Sequence, residues 1–328
     1  MDSLNHRNSV SLFQKLLGTP YNFREEMGWL WRNVMGVKTC NPCGIRPLPQ
    51  HSQLNQIQPR MTLCFIGDIM DMRGNTLMIG AEIKEFVRPC DFLIGNFEAT
   101  ITHARKPGFA AQRQDPGILD SLANLFPSDR TVLSLANNHT GDFSADILRH
   151  SISLMKQKGF YVFGLNQNIS VDVEGQARIV AASLWSNVPF ADMMPFQSLD
   201  RHVLPAVFNV AYPHWGFELE YFPRLSTVQE GMRLLNHYDA IIGHHSHVPQ
   251  PVMSHRMGDN MKVIAFSLGD FCTGLKSRNY RHGIVCKMEI GPGNDGYWKI
   301  GAVEWRYTEV TRIADKKMKV GLAVHPFA

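Results

Sequence analysis

Cysteines are few and scattered in this chain, six in 328 residues, at Cys40, Cys43, Cys64, Cys90, Cys272 and Cys286. That spacing makes no disulfide framework, which fits a reducing compartment. Cys40-Asn41-Pro42-Cys43 is a lone C-x-x-C pair. It lacks the second pair, or the His ligands, that a structural zinc site needs. Its Pro-rich surroundings also differ from the strand-to-helix turn of a redox dithiol, so a structural role is expected. Long apolar runs are missing too; none approaches the ~18 residues that cross a bilayer, so no membrane span is expected. The formal net charge is +4, yet no dense Lys/Arg block is present, which argues against a nucleic-acid arm. The start, Met1-Asp2-Ser3-Leu4-Asn5-His6-Arg7, has neither the basic opening nor the apolar stretch of a secretory signal, and a cytoplasmic protein is expected. Hydrophobic residues at 44% and charged ones at 19% exclude a largely disordered chain.

What is present falls into two parts. Residues 1–60 form an extension whose Phe23, Met27, Leu30, Trp31, Val34 and Met35 recur at helical spacing. That pattern predicts one amphipathic helix packed on the main domain, with docking to a protein partner as the alternative. A Pro- and Gln-rich stretch, Asn41 to Arg60, follows it as a linker or extended wrap. From Met61 to the end at residue 328, short apolar strands alternate with helical patterns such as Ser144–Lys158 and Val228–Tyr238. This alternation predicts an α/β fold with a buried, largely parallel or mixed sheet. The closing runs Ile284–Ile290 and Ile300–Tyr307 have little helix between them, which predicts a second sheet packed on the first.

Five of the apolar runs each end in a potential ligand. They lead into Gly67-Asp68, Asn96-Phe97-Glu98, Asn137-Asn138-His139, Pro213-His214 and His244-His245-Ser246-His247. The carboxyl ends of strands in an open α/β sheet are where ligands bind. Small residues such as Gly67 and Gly243 before the polar group are expected to let the backbone turn tightly and a ligand approach. Along an extended backbone His245 and His247 would share one side. Carboxylate, amide and imidazole donors without sulfur suit Mn, Fe, Zn or Mg. One or two such ions could hold a water of lowered pKa for attack on phosphorus, with a neutral His protonating the leaving oxygen.

With these segments on view, the chain resembles the CapA family of poly-γ-glutamate capsule biosynthesis proteins, within the calcineurin-like metallophosphoesterase superfamily. The resembling segments are GDIM from Gly67, GNFEATIT from Gly95, LANNHTGDFS from Leu135, PHWGFE from Pro213, GHHSHVPQ from Gly243 and SLGDF from Ser267. The resemblance implies a four-layer αββα sandwich of two mixed sheets around a dinuclear metal centre. It implies Asp68, Glu98, Asn138, His214, His245 and His247 as metal ligands, with Glu98 in the bridging position. It implies His139 as the acid or phosphate-orienting group, Asp142 orienting His139, and Glu218 holding His214. A small anionic or phosphorylated substrate follows, with a catalytically weak accessory protein of anionic-polymer synthesis as the other reading. Two departures stand out: Met70 occupies the place where the superfamily usually has a His, and Asp270 replaces the usual Asn. Asp71 or Asp270 could therefore join the metal shell. Arg278 and Arg281 are expected in a solvated loop.

Overall fold

A computed structural model describes residues 20–188 and 192–324. The segment Met1–Arg7, on which the reading of the N-terminus rests, lies outside these residues. In chain order the elements are α1 (Phe23–Met35), β1 (His51–Gln53), β2 (Met61–Ile69), β3 (Thr76–Ile79), α2 (Ala81–Val87), β4 (Phe92–Phe97), β5 (Thr100–Ile101), β6 (Arg113–Gln114), α3 (Gly117–Leu125), β7 (Thr131–Ser134), α4 (Ala145–Gln157), β8 (Tyr161–Phe163), β9 (Ser170–Val173), β10 (Ala177–Ser183), β11 (Phe208–His214), α5 (Leu225–Leu234), β12 (Ala240–Ile242), β13 (Val252–Met257), β14 (Asn260–Ala265), β15 (Asp270–Cys272), β16 (His282–Pro292), β17 (Trp298–Ala314) and β18 (Lys317–Ala323).

Two mixed sheets carry the fold. One has the order β3-β18-β17-β16-β2-β4-β7-β8, with β1 added to β17 and β15 to β2; the other runs β13-β14-β12-β11-β10-β9. Period-two alternation on the strands sends side chains to opposite faces. Leu63 and Phe65 of β2 enter a core shared with Ile179, Val210, Ile242 and Val263 of the second sheet. Cys64 and Ile66 point the other way, toward Ile83 of α2, Leu122 of α3 and Met155 of α4. On the far side of the second sheet, Ile241 and Ile264 pack with Leu234 of α5. The result is four layers, αββα, around an inter-sheet core.

The closing strands do not form the second sheet, contrary to the sequence-based expectation. β16 pairs antiparallel with β2 and β17 with β16, extending the first sheet. The parallel units place β4 on only one side of β2. The other edge is open, and a hairpin needing no crossover closes it. The second sheet is built instead from β9 to β14, with β10, β11, β12 and β14 parallel to one another.

The Pro- and Gln-rich stretch runs along the sheets as an extended wrap. Its Leu48 N–H donates to Val252 O at 2.7 Å, Leu54 N–H to Gly301 O at 2.8 Å and Arg60 N–H to Ile290 O at 2.9 Å. Helix α1 begins where the Asn22 side chain accepts from Glu25 N–H, and it ends at Gly36 with φ 98°. Its orientation is the reverse of what the apolar stripe suggests. Phe23, Trp31 and Val34 are 65%, 64% and 81% exposed, while Glu26 and Arg32 are buried. The surface under the helix is polar, offering Glu218 and Glu220, so the charged face is the complementary one. All six cysteines are free thiols, with Cys40 exposed and Cys43 half-buried against the second-sheet core. Arg278 is exposed, and Arg281 is half-buried with its Nη2 donating to Lys276 O. No helix among the described residues is long and apolar enough to cross a membrane.

Candidate metal centre

The carboxyl ends of β2, β4, β7, β11, β12 and the start of β15 converge between the two sheets. Asp68, Asn96, Glu98, Asn137, Asn138, His139, His214, His244, His245, His247 and Asp270 are all buried there. Glu98 is the focus. Its Oε1 has no hydrogen-bond partner among the described residues. Around it stand three imidazole nitrogens: His214 Nε2 at 3.5 Å, His247 Nε2 at 3.7 Å and His139 Nε2 at 3.9 Å. Ligands of one cation, each about 2.1 Å from it, stand roughly 3.0–3.4 Å apart, close to these separations. His214 Nε2 also lies 2.7 Å from Asn138 Oδ1 and 3.0 Å from His245 Nδ1.

Neighbouring groups hold the cluster in place. Asp68 Oδ1 accepts from Asn96 Nδ2 and from His244 Nδ1, both at 2.8 Å, and its Oδ2 accepts from the His245 N–H at 3.1 Å. Asp270 Oδ1 accepts from His247 Nδ1 at 2.9 Å, which turns His247 Nε2 toward Glu98. His139 Nδ1 donates to Asp142 Oδ2 at 2.6 Å, and that oxygen also accepts from Gln112 N–H at 2.8 Å. Asn138 Nδ2 donates to Asn187 Oδ1 at 3.0 Å, leaving Asn138 Oδ1 for His214.

Electrostatics describe a pocket short of positive charge. Burial pushes Glu98 well above its ordinary carboxyl range, with Asp68 and Asp270 adding to the rise. Burial also raises Asp270, to about 7. At Asp68 burial raises the pKa, but His244, His247 and the Asn96 hydrogen bond outweigh it and the group lies below its usual value. Burial and the neighbouring imidazoles hold His214 and His245 well below the usual imidazole range, so both are neutral. Burial lowers His247, yet Asp270 and Glu98 reverse that and raise it well above.

The donors fit a divalent cation. Glu98 Oε1, Asp270 Oδ2 and His244 Nε2 are buried without hydrogen-bond partners among the described residues. Three sets of ligand atoms each lie within 4.8 Å of one another: Glu98, His245 and His247; Asp68, Glu98 and His214; Asp68, His247 and Asp270. An all-oxygen-and-nitrogen set of this kind suits Mn, Fe, Zn or Mg.

Several expectations need revision. Glu218 does not hold His214: its Oε2 accepts from Trp29 Nε1 at 2.6 Å, and the His214 ring nitrogens face Asn96 and Asn138. His245 and His247 do reach one site, with ring centroids 6.0 Å apart. They do so from left-handed backbone, φ 90° and 54°, and not from an extended strand. Gly67 and Gly243 make room for neighbouring backbone, since a Cβ would lie 2.1 Å from Gly269 O and 2.0 Å from Phe266 O respectively. Asp71 turns to Lys106 Nζ at 2.5 Å, outside these ligand sets, whereas Asp270 enters one of them. Met70 is buried and hydrogen-bonds through its backbone to Cys272.

Sequence reading gave Asn96 and His244 no role of their own within their segments, and did not reach Asn187 or Tyr21, whose hydroxyl lies 2.7 Å from His245 Nε2. Asn96 carried a usable signal, because it stands near the end of β4, two residues before Glu98, and its Nδ2 lies 3.5 Å from Glu98 Oε2. Beside the centre, Leu184, Trp185, Phe196, Trp215 and Phe217 line a pocket of about 280 Å³ together with Glu230 and Arg233. Trp185 also contacts the His245 ring, at 6.0 Å between centroids.

Comparison with known proteins agrees with the motifs. The chain is 24% identical over 279 residues to "PGA biosynthesis protein CapA" of Bacillus subtilis (strain 168), a match covering 74% of this chain and 71% of that one. It is 24% identical over 251 residues to "Capsule biosynthesis protein CapA" of Bacillus anthracis, covering 65% of this chain but only 59% of the relative. Among solved structures, a hypothetical protein from Thermus thermophilus aligns over 76% of this chain and 99% of its own, at 16% identity and a TM-score of 0.48. The calcineurin-like phosphoesterase YfkN from Bacillus subtilis aligns over 79% of this chain and 95% of its own, at 11% identity and a TM-score of 0.39. The family model of the bacterial capsule synthesis protein PGA_cap matches residues 53–176 and 200–274, more than half of the sequence, and the chain belongs to that family.

Proposed function

We propose that this protein is a metal-dependent phosphoesterase of calcineurin-like type, acting on a small phosphate ester or phosphorylated intermediate. The supporting observation is the unpartnered Glu98 Oε1, ringed at 3.5–3.9 Å by the Nε2 atoms of His214, His247 and His139. The His214 and His247 nitrogens beside one buried carboxylate oxygen, not hydrogen-bonded to it, suit a shared cation, with His139 Nε2 at the edge of that shell. Asp68, Glu98, Asn138, His214, His245 and His247 would hold one or two divalent ions, with Asp270 buttressing or joining them. When bound, such an ion supplies a Lewis acid and a water whose pKa is near ~7.

The chain's own contribution is proton handling and orientation. Asp142 fixes the His139 ring through Nδ1 at 2.6 Å, leaving Nε2 turned toward Glu98 and the centre. A ring so held has a proton to give at Nε2 only as imidazolium; in that form it can place the proton on a leaving oxygen and become neutral, and in either form it can orient a phosphate group. The neutral state of His214 and His245 keeps their lone pairs available as ligands.

A second reading has support in the family itself and in the capsule-synthesis names of both CapA relatives. In it, the same centre binds an anionic polymer or its precursor with little turnover. One experiment separates the two. Metal content and Mn²⁺-dependent hydrolysis of model phosphate esters are measured for wild type, Asp68→Asn and His247→Ala. Metal-dependent turnover abolished in both variants supports the enzyme, and tight metal binding without turnover on any ester supports the accessory role.

A further inference from the structure

One side chain reaches the ligand cluster from a segment that precedes the residues matched by the family model, which start at 53. Tyr21 is 1% exposed, and its hydroxyl lies 2.7 Å from His245 Nε2. The same oxygen accepts from Glu218 N–H at 3.2 Å. Its ring is boxed edge-on to Trp185 at 5.1 Å and stacked with Phe217 at 6.3 Å. The segment that carries it is anchored at several points. Trp29 Nε1 donates to Glu218 Oε2 at 2.6 Å, and Arg32 Nε to Glu218 O at 2.7 Å. Arg224 grips both oxygens of Glu25 at 2.9 and 2.7 Å. Lys38 N–H donates to Leu219 O, and Lys38 O accepts from Tyr221 N–H, each at 2.9 Å.

We propose that Tyr21 is a positioning residue of the metal centre, its hydroxyl oxygen accepting the Nε2–H of His245 and so holding that ring's Nδ1 lone pair toward His214 and Glu98. A neutral imidazole has one N–H and one lone pair, and a partner that takes the N–H at one nitrogen assigns the lone pair to the other. His245 Nδ1 is the nitrogen that faces His214 Nε2, at 3.0 Å, inside the cluster. His245 also sits at φ 90°, a left-handed conformation that a non-glycine residue keeps only where its surroundings hold it. Hydrogen bonds from outside a metal shell set ligand tautomer and orientation in this way. The inference rests on the metal-binding reading above for its consequence, but the tautomer it assigns exists without metal.

Tyr21→Phe removes the hydroxyl and keeps the ring. Trp29→Phe, in the full chain, perturbs the docking of the same segment without touching His245. Nitrogen-resolved NMR of the metal-free protein should show His245 protonated at Nε2 in wild type and Trp29→Phe, with that preference lost in Tyr21→Phe. Titration calorimetry with Mn²⁺ alone should show affinity 10- to 100-fold weaker in Tyr21→Phe, and within twofold of wild type in Trp29→Phe. A wild-type His245 protonated at Nδ1, unchanged affinity in Tyr21→Phe, or equal weakening in Trp29→Phe each overturns the proposal. A wild type with the Nε2–H tautomer that takes up no Mn²⁺ overturns the metal reading instead.

Discussion

His139 and Asp142 are joined by a 2.6 Å hydrogen bond from Nδ1 to Oδ2, three residues apart in the chain and at the edge of the ligand cluster. The bond ties the imidazole to a carboxylate that also accepts from the Gln112 backbone, so the ring has one orientation. His139 is also the most distant of the three imidazoles from Glu98 Oε1, at 3.9 Å. A proton-handling role predicts that His139→Ala lowers turnover of a model phosphate ester by ~10²–10⁴ while metal content stays near wild type. Asp142→Asn should lower turnover less and keep the metal. Loss of metal in His139→Ala, read by elemental analysis, would make the ring a ligand.

Metal uptake should depend on pH in a defined direction. Burial works against charge on His247, but Asp270 and Glu98 raise its pKa well above the usual imidazole range, and burial pushes Asp270 up to about 7. Both carry protons near neutrality that ligation must displace. Mn²⁺ affinity therefore falls as pH is lowered through 7, by up to about tenfold per pH unit for each proton displaced. Calorimetry at pH 6, 7 and 8 checks this. An affinity constant across that range would show that neither proton is displaced.

Much of the centre was readable because its chemistry lies at strand ends. The apolar runs Ile284–Ile290 and Ile300–Tyr307 fall inside β16 and β17, and Ser144 and Lys158 prove to be the caps of α4. Asp68, Glu98, His214 and His247 each follow such a run and meet in the cluster. What was not legible depends on tertiary context. β13 buries only Val252 and carries no strong apolar signal, and β18 alternates buried Met318 and Val320 with Lys317, Lys319 and Gly321 over too short a span to stand out. The return of β16 to β2 is decided by which sheet edge remains open, a property of topology rather than of local pattern. Asn187 and Tyr21 act from loops whose local sequence says nothing of the strand ends they face.

The close approach of β2 and β12 to their neighbours yields a stability prediction. At Gly67 an added Cβ would meet Gly269 O at 2.1 Å and Leu268 O at 2.8 Å; at Gly243 it would meet Phe266 O at 2.0 Å and Trp215 Nε1 at 2.4 Å. These are backbone atoms or a packed indole, which cannot swing aside, and Gly67 immediately precedes Asp68. Gly67→Ala and Gly243→Ala should each destabilise the fold by about 1–3 kcal/mol or more, seen in urea unfolding. Metal affinity should fall with them, because parting the strands moves Asp68 and the His244–His247 segment. Either variant at wild-type stability would show that the strands relax freely.

Helix α1 offers a test of which face holds an element in place. Hydrophobic periodicity assigns Phe23, Trp31 and Val34 to the inside, whereas in the structure they are the outside. Arg32 is buried instead, donating to Glu218 O at 2.7 Å and lying 3.3 Å from Glu220 Oε1. Glu220 is 3% exposed and also meets Arg224 at 2.9 Å and Lys38 at 3.9 Å. Removing one member of a buried charge cluster leaves the rest imperfectly paired, and Arg224 softens that loss here, so Arg32→Leu should cost about 3 kcal/mol. Trp31→Lys and Val34→Glu change exposed positions and should alter stability by less than about 0.5 kcal/mol. Thermal unfolding of the three variants, with limited proteolysis between residues 36 and 44 to report detachment of the helix, distinguishes the two orientations. If Trp31→Lys unfolds the helix and Arg32→Leu does not, the apolar face is the docked one and the polar contacts to Glu218 and Glu220 contribute nothing to holding it.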